Sequence, residues 1–166
     1  MKLIIHDLEP EQALGLIPTD GQLSVIAAKN TGKACIGCFG CWVKTPGRCV
    51  IADELQDMGK TLSHCSDLVL ISRCCYGGFS PSVKRVMDRS IPYLHPCFTM
   101  KNDEMHHRRR YENHIKISVY FYGPDITDKE KETAEHLVRA NCVNLDGEAE
   151  RIAFFHTAEE LRGEAL

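Results

Sequence analysis

Apolar and polar positions fall into alternating blocks along the chain. Five short runs are dominated by Val, Ile, Leu and Phe: "KLIIH" (2–6), "LSVIAA" (23–28), "LVLIS" (68–72), "IKISVYF" (115–121) and "RIAFF" (151–155). The third opens with four consecutive aliphatic residues, the pattern of a strand buried on both faces. Between the runs lie stretches with helix signals. Asp53 with Gln56 predicts a capping box ahead of an apolar face of Leu55, Met58, Leu62 and Cys65. Ser80 before Pro81 predicts an N-cap and first-turn proline, leading to Val83, Val86 and Met87. Thr127 with Glu130 predicts a second capping box ahead of Ala134, Leu137 and Val138. Strands and helices in alternation predict one α/β domain over residues 1–166, a doubly wound five-stranded parallel sheet of order 2-1-3-4-5. Ligands of such sheets bind at the carboxyl ends of the strands, near the switch in strand order. The loops after the first four strands are therefore the ones to read for chemistry.

Charge and composition then narrow the classes. Twenty basic residues against 23 acidic ones leave a net charge of −3, which disfavours nucleic acid as a partner because phosphate backbones need a basic face. No apolar run approaches the roughly 18 residues that span a bilayer, and "MKLIIHDLEP" does not read as a signal peptide. The expectation is a cytoplasmic protein, without a membrane partner, whose thiols are reduced. Nine cysteines, an odd number, also disfavour a complete disulfide framework.

Four of the nine stand in "CIGCFGCWVKTPGRC", with the spacing Cys35-x2-Cys38-x2-Cys41-x7-Cys49. Two-residue gaps let thiolates converge on one centre, and compact ferredoxins open with the same C-x2-C-x2-C. Gly37 and Gly40 relieve crowding in the turns, while Pro46 and Gly47 bring the chain back towards Cys49. A 4Fe–4S cluster, a zinc site, redox thiols and plain burial beside Trp42 all remain open on spacing alone. Cys65 and Cys142 lie on apolar helix faces and read as core.

"CIGCFGCWVKTPGRCVIADEL", "LVLISRCCYGGFSPSVKRVMDR" and "MHHRRRYENH" together resemble the flavodoxin-fold NADPH-dependent FMN reductases and their iron–sulfur flavoprotein relatives. Lys84, Asp88 and Arg89 fall where that family's "LK-x3-DR" helix would place them. The resemblance implies a flavodoxin-like three-layer fold, bound FMN, NAD(P)H as reductant, a small-molecule electron acceptor and a homodimer. It implies a 4Fe–4S cluster on Cys35, Cys38, Cys41 and Cys49, and a flavin contacted by the loop holding Arg73, Cys75, Tyr76, Gly77, Gly78 and Ser80.

Departures from the family stand at two loops. The first strand runs into "HDLEPEQALGLIPTDGQ", with Asp7, Glu9 and Glu11 where the family has a Ser/Thr/Gly-rich phosphate loop. Carboxylates there repel a phosphate dianion, by more than a helix end attracts one. The first helix also reads as cut to about two turns. In the second loop Arg73 replaces a proline and Cys75 an aromatic residue. The leading expectation is an FMN-dependent NAD(P)H oxidoreductase or electron-transfer flavoprotein, in which the cofactor carries the chemistry and no side chain acts as acid or base. The alternative is a non-enzymatic relative that has lost flavin and keeps a structural, metal-binding or redox-sensing role. "MHHRRRYENH" reads either as an anion clamp built of arginine forks or as a solvated or dimer-contacting loop. Residues 93–105 read as a long irregular segment of the kind that forms lids.

Overall fold

The computed structural model describes residues 1–19, 22–164 and 166. Its sheet is built on β1 (Lys2–His6), β2 (Leu23–Ala27), β3 (Asp67–Cys75), β7 (Lys116–Tyr122) and β8 (Glu148–Phe155). These pair in parallel in the order β2-β1-β3-β7-β8, which is the flavodoxin-like 2-1-3-4-5 arrangement read from the sequence. A two-residue strand, β4 (Gly78–Phe79), adds antiparallel to the end of β3 and makes the sheet six-stranded. The switch in order lies between β1 and β3, so their carboxyl tips define the expected ligand edge.

Strand residues alternate between the two faces. Leu3, Ile5, Leu68, Leu70, Ile117 and Val119 share one core with α3 (Met58–Ser63), α4 (Pro81–Asp88) and α5 (Asp128–Leu145). Ile4, Val69, Ile71 and Tyr120 share the other with α1 (Pro10–Leu16) and the 3-10 turn Ala158–Leu161. The second face is thinly covered because α1 has only seven residues. A hollow of about 510 Å³ remains beside it, lined by His6, Leu14, Ile17 and Val25 among others. Among the described residues no helix is long and apolar enough to cross a membrane.

The expected caps hold at two helices. Ser80 Oγ accepts from Val83 N–H at 3.3 Å, and Thr127 and Glu130 form the capping box of α5. The third expectation is corrected. No helix starts at Asp53: Asp53 Oδ1 accepts from Leu55 N–H at 3.0 Å in a local turn, and α3 begins only at Met58. The carboxylate is instead engaged by Arg89, a partner 36 residues away. Leu55, Met58, Leu62 and Cys65 are nonetheless buried together. Residues 93–105 are also not irregular. They form most of a hairpin, β5 (Leu94–Lys101) and β6 (Glu104–Arg109).

Candidate functional site

At the carboxyl edge, β1 delivers His6 and Asp7 into the interior, 4% and 2% exposed. Both Asp7 oxygens accept from Arg73 N–H, at 3.2 and 3.1 Å, and Oδ1 also accepts from Tyr122 O–H at 2.9 Å. One carboxylate thus ties together the tips of β1, β3 and β7. Burial and the adjacent Asp7 charge both push the Tyr122 phenol up, so it stays a donor. His6 Nδ1 accepts from Leu8 N–H at 3.2 Å, and burial lowers the pKa of its ring. At the start of α1, Gln12 accepts from Glu9 N–H, and the Glu9 carboxylate pairs with Lys29. Negative side chains thus occupy the place where a nucleotide phosphate sits in such folds. The residues after β1 do not fit the FMN phosphate.

The second loop is a tight hairpin. Tyr76 (φ 54°) and Gly77 (φ 74°) are both left-handed, as a two-residue turn between antiparallel strands requires. A Cβ on Gly77 would stand 2.9 Å from Glu130 O and 2.7 Å from Thr133 Cβ. The glycine is therefore required for packing against α5. Tyr76 projects from the tip, 95% exposed. Arg73 lines a cleft of about 150 Å³ with Gly123, Asp125 and Glu130, too small for a flavin. Ser80 caps α4, and its N–H donates to Ser72 Oγ at 2.9 Å. Cys75 and Gly78 line a larger cavity of about 440 Å³ between α4 and α5, whose wall includes Phe79, Met87, Leu137 and Asn141. The six residues singled out in this loop therefore divide between a turn, a helix cap, a small cleft and a cavity wall.

The cysteine segment lies between β2 and α3. Cys41 and Cys49 are buried, Cys35 is half-buried and Cys38 exposed. Burial raises the Cys41 pKa most, and the adjoining Cys49, Cys35 and Cys38 add to it. Among the described residues no three His, Cys, Asp or Glu side chains are grouped as a site for a single metal ion. The short helix α2 (Gly40–Val43) carries Cys41 and Trp42. A Cβ on Gly40 would meet Val50 Cγ1 at 2.6 Å, so Gly40 lets the two limbs of the loop pack closely. Gly47, at φ 86°, turns the chain, and its N–H donates to Cys41 O at 3.0 Å.

What closes this loop went unread in the sequence. Arg89, 1% exposed, donates Nη1 to Lys33 O (2.7 Å) and Asp53 Oδ2 (2.8 Å), and Nη2 to Asp53 Oδ1 (2.7 Å) and Ile51 O (3.3 Å). Lys33 N–H also donates to Asp53 at 2.8 Å. The guanidinium holds the Asp53 carboxyl down to about 2. The "DR" of the helix motif had marked Arg89; nothing local in the sequence showed that its partner was Asp53.

Of the arginines of 105–114, Arg108 and Arg109 line a hollow of about 510 Å³ together with Thr99, Lys101, Glu112 and Asp146. Arg109 pairs with Asp146 and Glu112, and Arg110 donates to Pro92 O and Leu94 O. His106 meets Asn144 and Glu104, while His107 sits between Trp42 and Phe98, with ring centroids at 4.7 and 4.8 Å. Trp42 Nε1 donates to Leu94 O at 3.1 Å, and its ring stacks on Phe39. The polar side of the hairpin thus faces α5. Its apolar side, with Phe98, Met100 and Met105 each more than half exposed, continues onto Phe39 and points outward.

No family model matches the chain. A search of curated proteins finds an iron–sulfur flavoprotein of Methanocaldococcus jannaschii, 37% identical over 68 residues, which are 41% of this chain and 34% of that protein. The match therefore spans about a third of the relative's length. Among solved structures, an FMN-dependent NADH-azoreductase from Bacillus anthracis, in complex with FMN, superposes with a TM-score of 0.57. It is 13% identical and the match covers 95% of this chain and 88% of that one, a likeness of fold. Together with the motifs around Cys35–Cys49, these findings support the resemblance: the chain has the flavodoxin-like fold, and 68 of its residues are similar to a stretch of an iron–sulfur flavoprotein.

Proposed function

We propose that the protein is an oxidoreductase or electron-transfer protein of the iron–sulfur flavoprotein type, with a 4Fe–4S cluster on Cys35, Cys38, Cys41 and Cys49. The observation that carries this reading is the Cys35-x2-Cys38-x2-Cys41-x7-Cys49 segment itself, with Cys41 and Cys49 turned into the interior and the loop tied at its neck by a buried ion pair. The M. jannaschii relative is itself named an iron–sulfur flavoprotein. A bound cluster would supply one-electron storage, and FMN, the cofactor of the azoreductase, would supply hydride acceptance from NAD(P)H. The chain's own part is to hold the sulfurs, to exclude water from Cys41 and Cys49, and to keep Trp42 against the loop. Since Asp7 and Glu9 close the usual site, the proposal carries a flavin whose phosphate lies outside the loop after β1. A small molecule is the proposed acceptor. A second copy of the chain is the proposed partner, seated on the apolar side of the hairpin.

The Asp7 clasp favours one second reading, in which flavin has been lost and the cysteine site works alone. Anaerobic purification followed by absorbance, iron and flavin analysis separates the two. A broad visible shoulder with about four irons per chain, lost in Cys38→Ser and Cys41→Ser, is the expected result. Added FMN that binds supports the full reading, and FMN that does not supports the second. Iron-free protein that takes up no iron on anaerobic reconstitution overturns both.

A further inference from the structure

We propose that Arg89 is a positioning residue for the cysteine site: it clamps the neck of the loop and turns a charged N–H donor towards the Cys49 sulfur. The inference rests on the cluster reading above and adds to it a residue that ligates nothing itself. An arginine carries five N–H donors in a rigid fork. The terminal nitrogens of Arg89 are spent on Lys33 O, Ile51 O and the two oxygens of Asp53. Lys33 precedes Cys35 by two residues and Ile51 follows Cys49 by two, so one side chain fastens both limbs of the loop beside its outer cysteines.

The remaining donor, Nε–H, is buried and has no hydrogen-bond partner. The guanidinium charge is near enough to Cys49 for the two side chains to act on one another electrostatically. A thiol is a weak acceptor, whereas a metal-bound thiolate carries negative charge and accepts well. The unsatisfied donor is thus what a ligated Cys49 would satisfy. Hydrogen bonds to ligand sulfurs and nearby charge set the potential of such centres. A guanidinium favours the more negative, reduced state, so its presence raises the potential and its loss lowers it. Arg85, four residues earlier on α4, provides an internal comparison. Its Nε is also buried and unpartnered, but its Nη2 donates to Ala28 O and Lys29 O, away from the cysteines.

The test compares the unmodified chain, Arg89→Lys, which keeps the charge but loses the fork and Nε–H, and Arg85→Lys. Release of iron from the anaerobically reconstituted proteins to a chelator, read by loss of visible absorbance, reports how firmly the site is held independently of activity. Dithionite titration of the reconstituted proteins, read by visible absorbance, reports the midpoint potential. Arg89→Lys is expected to release iron tenfold faster or more. It should also shift the reduced-to-oxidised ratio at fixed potential about tenfold towards oxidised, about 59 mV for one electron. Arg85→Lys should change neither. If Arg89→Lys does not fold, the paired change Arg89→Met with Asp53→Leu, which removes both buried charges together, is read in its place. A folded variant with unchanged iron release and unchanged midpoint overturns the role of Arg89 while leaving the cluster intact. An unmodified chain that takes up no iron overturns the cluster reading, and this inference with it.

Discussion

Asp7 Oδ1 accepts the Tyr122 hydroxyl at 2.9 Å, across 115 residues of sequence, while both its oxygens take the Arg73 N–H. The carboxylate therefore does at the strand tips what a bound anion does in a phosphate-binding relative: it gathers donors from several strands. That substitution explains how Asp7 stands buried at the end of β1 without loosening the fold.

Asp7→Asn keeps most of this geometry and removes the charge. FMN and riboflavin affinities are expected to change alike, because the proposed flavin keeps its phosphate away from Asp7. Paired titrations followed by flavin fluorescence measure the ratio. A gain of about tenfold for FMN alone would mean that the phosphate does approach Asp7, where one unit charge at short range is worth a few kcal/mol before screening. Asp7→Ala instead leaves the Tyr122 hydroxyl without its acceptor and is expected to cost about 1–3 kcal/mol in chemical denaturation.

Asp53→Ala leaves the Arg89 charge buried and unpaired. A loss of about 3–5 kcal/mol of stability is expected, large against the whole of a domain's margin. The same pair sets a pH dependence. The Asp53 carboxyl is held down to about 2 in the fold, against 3.8 when free, so its contribution is complete above pH 3.8 and drains away as pH falls towards 2. Denaturation midpoints of the unmodified chain should fall across that window, and those of Asp53→Asn should fall less steeply.

Tyr76 is left-handed at φ 54° and almost wholly exposed. Tyr76→Gly should stabilise the protein by roughly 1 kcal/mol, since a non-glycine residue carries a cost of about that size in this conformation. Gly77→Ala should do the reverse by at least as much, because the added methyl meets Glu130 O and Thr133. Thermal midpoints decide both signs. A stabilised Tyr76→Gly with weakened flavin binding would reveal the tyrosine as a ring contact.

Cys65 is buried at 1% exposure and its thiol is pushed up to about 11 by burial. Alkylation of the metal-free protein at pH 8 should therefore modify Cys38 quickly and Cys65 hardly at all, as mass spectrometry of digested samples would show. Cys65→Ala should retain the full iron content that Cys41→Ser loses. Iron lost in both would move the site away from the 35–49 segment.

Phe98→Glu with Met105→Glu places two charges on the outward apolar side of the hairpin. If a second copy covers that side, sedimentation should show monomers in the variant and dimers in the unmodified chain, with thermal stability of the monomer fold little changed. Identical sedimentation in the two would remove the hairpin from the interface.

The sheet was legible because its evidence is local. Strands such as 2–6 and 68–72 announce themselves by aliphatic runs, and Ser80 and Thr127 cap helices within three residues of themselves. Asp53 misled for the same reason: its spacing to Gln56 satisfies a local rule, while its true partner Arg89 caps the end of α4 and only the fold brings them together. The hairpin of 94–109 escaped because it inverts the usual pattern, turning Lys101 and His106 inward to Asp146 and Asn144 and leaving Phe98 and Met100 outside. The resemblance implies that the loop holding Gly77 contacts a flavin, but α5 takes up the space beside that glycine.

Trp42 is the chain's single tryptophan, next to Cys41 in sequence and wedged between Phe39 and His107. All indole emission from this protein therefore originates at the rim of the cysteine loop. Metal uptake, sulfur oxidation or partner docking at that rim would each alter the intensity or colour of that light, while events at the Asp7 end of the sheet would leave it steady. The molecule thus carries its own optical probe, placed where its chemistry is proposed to occur.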